Sequence, residues 1–249
     1  MEEHPLSMEL TYLSNSGFLL SDGRTALIFD DEGRCPDIIN RAALERFDAA
    51  VFFVSHSHGD HFSPGIFSFS DVPGVHYVLS DDVPTAGLPE GARAARMRPM
   101  QQTAAANCSV TAFGSTDLGV SFLVLWNGVH MFHAGDLNNW HWRAESTDDE
   151  VREAQQAFDA IVSQIPRPID LAFFPVDPRM GSGYDLGARQ FAARIRPRLF
   201  VPMHFREAAY AATDFQSSLA VPGVRVLPLT ESGQRCELPF GAAPRPTSL

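Results

Sequence analysis

The alternation of apolar and polar residues predicts a strand-rich first third of the chain. Three short β-rich runs begin it, at residues 8–13, 17–20 and 26–30. The unbroken apolar character of residues 49–54 predicts a buried strand, and residues 37–47 have a helical pattern. This part of the chain is therefore expected to form a sheet with one helix beside it.

The rest of the chain is predicted to form a hairpin followed by alternating helices and strands. Asn127-Gly128 stands between two β-rich runs and is a strong hairpin signal. Thr147 and Glu150 have the spacing of a helix-capping box, and Pro166 closes the helical pattern that follows them. The further strands are expected at 75–79, 108–113, 171–176, 199–203 and 224–229, with a helix at 186–195. Because no Pro/Gly/Ser linker divides the chain, we expect a single domain over residues 1–249, of α/β class, with two sheets covered by helices.

Histidine or aspartate follows the carboxyl end of four predicted strands. The residues are Asp30 after 26–29, then His56, His58, Asp60 and His61 after 49–54, His133 and Asp136 after the hairpin, and His204 after 199–203. Loops at the carboxyl ends of strands commonly meet at one rim and carry function. The sequence therefore predicts one polar site built from four separate segments.

The spacing of the first cluster suits metal binding. His56 and His58 are two residues apart, so in an extended segment they point to the same side and can bind one ion. Gly59 allows a turn, after which Asp60 and His61 can bind a second ion. Imidazole with carboxylate suits Zn²⁺, and also Mn²⁺ or Fe.

Three motifs resemble those of the metallo-β-lactamase superfamily. HSHGDH at residues 56–61 resembles its HxHxDH motif, HAGD at 133–136 resembles its GD segment, and PMHF around His204 resembles its last histidine motif. They occur in the superfamily's order, and the branch that looks most similar contains the ascorbate-phosphate lactonase-like and N-acyl-phosphatidylethanolamine phospholipase D-like proteins. The resemblance implies an αββα sandwich with a metal site at one edge of the sheets.

The resemblance also implies a role for each residue. His56 and His58 would bind the first metal, and Asp60, His61 and His204 the second. Asp136 would bridge the two. The expected cofactor is Zn²⁺, as one or two ions, with Mn²⁺ or Fe as alternatives.

The chain departs from this pattern at Gly114, which stands where the superfamily has a further histidine for the first metal. Three explanations are open. Asp117 can serve as a substitute oxygen ligand, or it is a turn residue and only the second site, on Asp60, His61, Asp136 and His204, is filled. Alternatively, a histidine from elsewhere, such as His141, reaches the first site.

The function that the resemblance implies is metal-dependent hydrolysis of an ester, lactone or phosphodiester-type small molecule. Asp60 would orient the attacking hydroxide and accept its proton, and His141, or else His133, would help to stabilise the oxyanion. His133 is otherwise expected to hydrogen-bond within the surroundings of the ligands, and the segment 137–150 to shape the pocket. The alternative is a non-catalytic metal-binding or sensing protein on a degenerate scaffold, with Gly114 as its best support.

Charge and composition argue against some classes of binding partner. The chain has 30 acidic residues against 19 Lys and Arg, a net charge of −11, which argues against nucleic acid as a partner. No apolar run is long enough to span a membrane. Cys35, Cys108 and Cys236 form no CxxC, and the first residues have no signal-peptide pattern, so a cytoplasmic location is expected. The sequence does not indicate an oligomeric state.

Overall fold

A computed structural model describes residues 8–142, 145–238 and 240, and its framework is two mixed β-sheets. The strands are β1 (Met8–Tyr12), β2 (Phe18–Ser21), β3 (Thr25–Phe29), β4 (Ala49–Val54), β5 (Val75–Ser80), β6 (Ala94–Met97), β7 (Gln102–Ala105), β8 (Cys108–Gly114), β9 (Val120–Trp126), β10 (Val129–His133), β11 (Leu171–Pro175), β12 (Leu199–Met203), β13 (Arg225–Val226) and β14 (Arg235–Leu238). The first sheet has the order β14-β1-β2-β3-β4-β5-β6, and the second has the order β13-β12-β11-β10-β9-β8-β7. Each sheet therefore has seven strands and comes mainly from one half of the chain.

Large aromatic residues pack the two sheets face to face. The ring centroids of Phe53 in β4 and Phe122 in β9 are 5.6 Å apart, and those of Phe18 in β2 and Phe173 in β11 are 4.4 Å apart. Alternate residues of β4 face opposite ways: Phe53 joins this central core, whereas its neighbour Phe52 joins a second core on the outer face. The unbroken apolar run of β4 thus reflects a strand that is buried on both faces.

Helices cover both outer faces. They are α1 (Arg41–Leu44), α2 (Asp148–Val162), α3 (Leu186–Ile195), α4 (Tyr210–Ser218) and the short 3₁₀ helices Pro64–Phe69 and Pro178–Met180. On the second sheet, Phe191 of α3 stacks on Phe174 of β11 at 4.5 Å. On the first sheet, Leu44 of α1 and Phe67 of the first 3₁₀ helix belong to the outer core. The arrangement is the αββα sandwich that the resemblance implies.

Parallel pairing places the functional strand ends along one edge. β3 and β4 run parallel in the first sheet, and β10, β11 and β12 run parallel in the second. Their carboxyl ends therefore open on the same side of each sheet, where the predicted ligands follow them.

Ser55, the first residue after β4, lies at the seam between the two sheets. Its carbonyl oxygen accepts a hydrogen bond from Val120 N of β9 at 2.9 Å. A Cβ placed on Gly119 would lie 2.1 Å from that oxygen, and one on Gly135 would lie 2.7 Å from Ser55 Cβ. The sheets meet so closely here because both neighbouring residues lack a side chain.

Several predicted elements are confirmed and two are corrected. Asn127 and Gly128 both have positive φ, at 48° and 76°, as a two-residue hairpin turn requires, and the capping box of Thr147 and Glu150 is formed. The predicted helix over 37–47 was wrong in extent, because the Asn40 side chain caps Ala43 N and starts the helix only at Arg41. The predicted strand over 224–229 is restricted to Arg225–Val226, which pairs with β12. In the described part of the chain, no helix has the length and apolarity needed to cross a membrane.

Candidate metal centre

Six predicted ligands meet at the edge of the sandwich in two groups. One group is His56, His58 and Asp136, and the other is Asp60, His61 and His204. Within each group the potential ligand atoms lie within 4.8 Å of one another. These ligands come from three of the four segments that the sequence predicted to converge, and Asp30 of the fourth lies 2.7 Å from His61.

Asp136 lies between the two groups. Its Oδ2 is 3.4 Å from His56 Nε2, while its Oδ1 is 3.0 Å from His61 Nε2 and 3.3 Å from His204 Nε2. One carboxylate oxygen faces each group. This is the geometry that a bridging ligand needs.

The residues of the second group fit a metal ion. Asp136 Oδ1, His61 Nε2 and His204 Nε2 are buried, and within the described ranges they form no hydrogen bond. His61 Nε2 and Asp136 Oδ1 are 3.0 Å apart as an ion pair, but neither atom has a hydrogen bond of good geometry. Because buried polar atoms are nearly always hydrogen-bonded, the convergence of these three atoms indicates a place for a metal ion. Two imidazole nitrogens and a carboxylate oxygen are a suitable donor set for Zn²⁺, Mn²⁺ or Fe.

Hydrogen bonds on the far side of each ring orient the buried histidines. His61 Nδ1 lies 2.7 Å from Asp30 Oδ2, and His204 Nδ1 lies 3.0 Å from Asp177 Oδ2. His56 Nδ1 lies 3.0 Å from Ser55 Oγ. Because each Nδ1 has an oxygen partner, each Nε2 is left to face the site, as in carboxylate–histidine–metal arrangements.

Asp30 connects two of these histidines. Its Oδ1 accepts from Ser55 N at 2.7 Å, and its Oδ2 accepts from Ser55 Oγ at 2.6 Å as well as from His61. Burial alone would raise the pKa of Asp30, but nearby His133 and the hydrogen bond from His61 outweigh it and lower that pKa. Asp30 is therefore a buried carboxylate with three donors, and it couples the orientation of His56, through Ser55, to that of His61.

The site attracts positive charge. Burial disfavours the protonated form of His61, yet the carboxylates of Asp136 and Asp30 outweigh it and raise its pKa to about 10. Burial likewise raises the pKa of Asp136, but His204, His61 and His56 lower it far below its ordinary value. A cluster that stabilises a cation this strongly suits a metal ion once His61 gives up its proton.

Asp117 lies beside His58 of the first group. Its Oδ2 is 3.8 Å from His58 Nδ1, and both side chains are 48 % exposed. A Cβ on Gly114 would lie 3.4 Å from the Ile161 side chain of α2, so a side chain at this position would pack against that helix. Thr116 and Asp117 are the residues that this loop brings to the cleft.

The metal centre opens into a cleft of about 430 Å³. The lining residues are His58, Asp60, Thr116, Asp117, Asp136, Trp140, Trp142, Arg179, His204 and Arg206. Trp140 and Trp142 stack with their ring centroids 5.9 Å apart and their planes within 6°. The cleft thus combines ionised groups with a flat aromatic wall, as the segment 137–150 was expected to provide.

The structure places His141 and His133 outside the cleft. The described lining residues do not include His141, which is buried with its Nδ1 2.7 Å from Asn139 O. The expectation that it assists catalysis is therefore unsupported: alternate residues of an extended segment face opposite ways, and Trp140 and Trp142 take the side that faces the cleft. His133 is buried too, and both of its ring nitrogens have partners, Nε2 with Ser16 O at 2.9 Å and Nδ1 with Gly135 N at 3.2 Å.

Sequence reasoning missed three residues of this region. Asp177 orients His204, and Arg179 and Arg206 line the cleft. Asp177 follows β11 directly after Val176, so the strand-end rule that found the other ligands would have found it as well. Arg179 lies in the 3₁₀ helix Pro178–Met180 and Arg206 in a turn after β12, and neither position has a comparable signal.

Comparisons with known proteins agree with this geometry. No family model matches the chain. A curated protein from Heliobacterium modesticaldum, described as a UPF0173 metal-dependent hydrolase, is 24% identical over 216 residues, covering 80% of this chain and 82% of its own length. A second protein of that description, from Thermococcus kodakarensis, is 22% identical over 247 residues, covering 93% and 100%.

A solved structure shows the same fold. The metallo-β-lactamase fold protein YhfI from Bacillus subtilis matches with a TM-score of 0.60 at 15% identity, covering 93% of this chain and 99% of its own. At this identity the likeness concerns the fold alone.

Proposed function

We propose that this chain is a metal-dependent hydrolase of the metallo-β-lactamase superfamily, acting on an ester, lactone or phosphodiester bond of a small molecule; its similarity to two curated metal-dependent hydrolases and its fold support this. The observation that carries the proposal is the convergence of three buried, unsatisfied atoms, Asp136 Oδ1, His61 Nε2 and His204 Nε2, beside an open cleft. When bound, a divalent ion supplies Lewis acidity and lowers the pKa of a coordinated water towards about 7.

We assign two metal positions to the six ligands. The second group, with Asp60, His61 and His204, is the more deeply buried and takes the tighter ion, shared with Asp136. The first group has His56 and His58 with Asp136, and Asp117 completes it from the cleft side. Zn²⁺ is the proposed ion, since imidazole and carboxylate are among its usual protein ligands.

Asp60 has the properties of the group that orients water. It lines the cleft, and its Oδ2 accepts from Arg206 Nη2 at 2.7 Å and from Asn15 Nδ2 at 3.2 Å. Burial raises the pKa of Asp60, but His61, His204 and Arg206 outweigh it, so this pKa is lowered and the side chain is a carboxylate at neutral pH. In our proposal Asp60 accepts a hydrogen bond from the attacking water and takes up its proton.

The test is Asp60→Asn in protein purified without chelator and supplied with Zn²⁺ or Mn²⁺. Turnover of a lactone, an ester and a phosphodiester is measured together with metal content and circular dichroism. We expect the variant to fold and to lose turnover by at least about 100-fold, the scale of a lost general base. Wild-type turnover in a folded Asp60→Asn protein would refute the role of Asp60, and a wild-type protein that binds no metal would refute the hydrolase itself.

A further inference from the structure

Two arginines bracket His204, the ligand at the centre of the second group. On one side, Asp177 Oδ2 receives His204 Nδ1 at 3.0 Å and Arg179 Nε at 3.0 Å. On the other side, Asp60 Oδ2 lies 3.6 Å from His204 Nε2 and 2.7 Å from Arg206 Nη2. Each guanidinium is therefore one carboxylate away from the same imidazole ring.

Arg179 is held along one edge of its guanidinium and Arg206 by a single nitrogen, and both have other N–H groups without a partner among the described residues. Arg179 uses Nε and Nη2 on Asp177, which leaves its Nη1 without a hydrogen bond to any described residue. Arg206 uses Nη2 on Asp60, which leaves Nε and Nη1 free in the same sense. Both side chains line the cleft and remain 47 % and 43 % exposed. Guanidinium groups that are held in place at a cleft and have unpaired N–H donors suit an oxyanion, since little side-chain entropy is lost on binding.

A flat apolar wall lines the same cleft. Trp140 and Trp142 stack there, and Trp140 is 5.9 Å from the His204 ring between centroids. The Trp140 Nε1 donates to Asp136 O at 2.8 Å, which fixes this indole against the metal centre. An aromatic ring on the substrate would find a stacking partner beside the two arginines.

We propose that Arg179 and Arg206 form an oxyanion-binding subsite, and that the substrate carries a phosphate or carboxylate group together with a planar ring that stacks on Trp142. As a statement about substrate, this inference rests on the proposed hydrolase. The subsite itself is made of the chain's own side chains and can be tested by binding alone.

The experiment is a ligand-observed NMR titration of the full-length protein, both chelator-treated and loaded with Zn²⁺. The probes are phenylphosphonate, methylphosphonate, benzoate and benzamide, which is the neutral analogue of benzoate. In the chelator-treated wild type, we expect both aryl anions to bind at least about tenfold more tightly than benzamide, as charged hydrogen bonds predict. The tighter of benzoate and phenylphosphonate identifies the anionic group. Benzamide binding as tightly as both anions would overturn the subsite.

Variants locate the effect. Arg179→Met and Arg206→Met should each weaken anion binding about tenfold or more, whereas Arg41→Met should not change it. Arg41 is a matched control, because it is 46 % exposed and paired with Asp71 but does not line the cleft. Trp142→Leu should weaken phenylphosphonate several-fold and leave methylphosphonate unchanged. Equal losses for the two phosphonates in Trp142→Leu, or wild-type binding in both arginine variants, would contradict the proposal.

The wild-type comparison of anion and amide decides the matter even if an arginine variant fails to fold. Binding in the chelator-treated protein needs neither metal nor turnover. If the protein binds aryl anions but hydrolyses nothing, the subsite is supported and the hydrolase proposal is refuted. If the protein is an active hydrolase without a preference for anions, the hydrolase proposal is supported and the subsite is refuted.

Discussion

Replacing Asp30 with Asn tests whether the layer behind the ligands sets metal affinity. Asp30 accepts three hydrogen bonds, from Ser55 N, Ser55 Oγ and His61 Nδ1. Asparagine offers one oxygen and an NH₂ group that can only donate. If the oxygen of the new side chain still accepts the hydrogen bond from Ser55 N, its NH₂ group faces His61 Nδ1. The imidazole must then carry its proton on Nε2, so that Nδ1 can accept a hydrogen bond from the NH₂ group.

That shift would place a proton on the atom that faces the metal position, 3.0 Å from Asp136 Oδ1. Changes to such orienting partners typically cost about 10- to 100-fold in metal affinity, or about 1.4–2.8 kcal/mol. At least one hydrogen bond to a buried carboxylate is also lost, which should lower the free energy of unfolding of the metal-free protein by about 1.5–3 kcal/mol.

The assay is competition for Zn²⁺ with a chromophoric chelator, alongside thermal unfolding with and without metal. Asp71→Asn is the control, because Asp71 is an exposed carboxylate paired with Arg41, and its replacement should leave metal affinity and thermal unfolding close to wild type. A folded Asp30→Asn protein that binds Zn²⁺ within about twofold of wild type would refute the reasoning, since the expected loss is at least about tenfold.

Three further changes test other parts of the structure. Asp117→Asn should lower the bound metal from two ions per chain towards one, measured by elemental analysis, whereas Gly114→His should add none because that position faces Ile161. Gly119→Ala should lower the free energy of unfolding by more than about 2 kcal/mol, since this position has a φ of +74° and an added Cβ would lie 2.1 Å from Ser55 O. Gly128 has a similar φ of +76° but open space around an added Cβ, so Gly128→Ala measures the backbone strain without the steric clash. A similar loss in both variants would show that the collision is unimportant. Thr147→Ala should lower the free energy of unfolding, measured with denaturant, by about 1 kcal/mol and leave metal binding unchanged. A change in metal affinity would contradict the separation of this helix cap from the site.

The ligands could be predicted from the sequence because they directly follow strands with an evident apolar pattern. Val54 ends a strand that both cores require, and His56 and His58 then have only one edge of the sheet to reach. The same holds for His204 after β12. For these ligands, the position in the sequence was enough to predict the position in the fold.

The direction in which a side chain points was harder to predict than the place of its residue in the fold. In the segment that holds Trp140 and His141, a shift of one residue exchanges the side facing the cleft for the side facing the interior, and both residues are plausible on either side. Gly114 and Asp117 differ in the same way, since the loop after β8 turns before it reaches the site. Arg179 and Arg206 pair with residues far away along the chain or lie in short turns, so no periodic pattern marks them.

The position of Ser55 at the seam connects the packing of the two sheets with the candidate metal centre. Its main chain joins the two sheets, and its side chain lies between Asp30 and His56. Heating that loosens the packing of Phe53 on Phe122 would therefore also release the metal, so that a chelator acts as a denaturant and the melting temperature rises with metal concentration. Temperature-sensitive loss of function can then arise from substitutions anywhere in the central core, at residues that never approach a substrate.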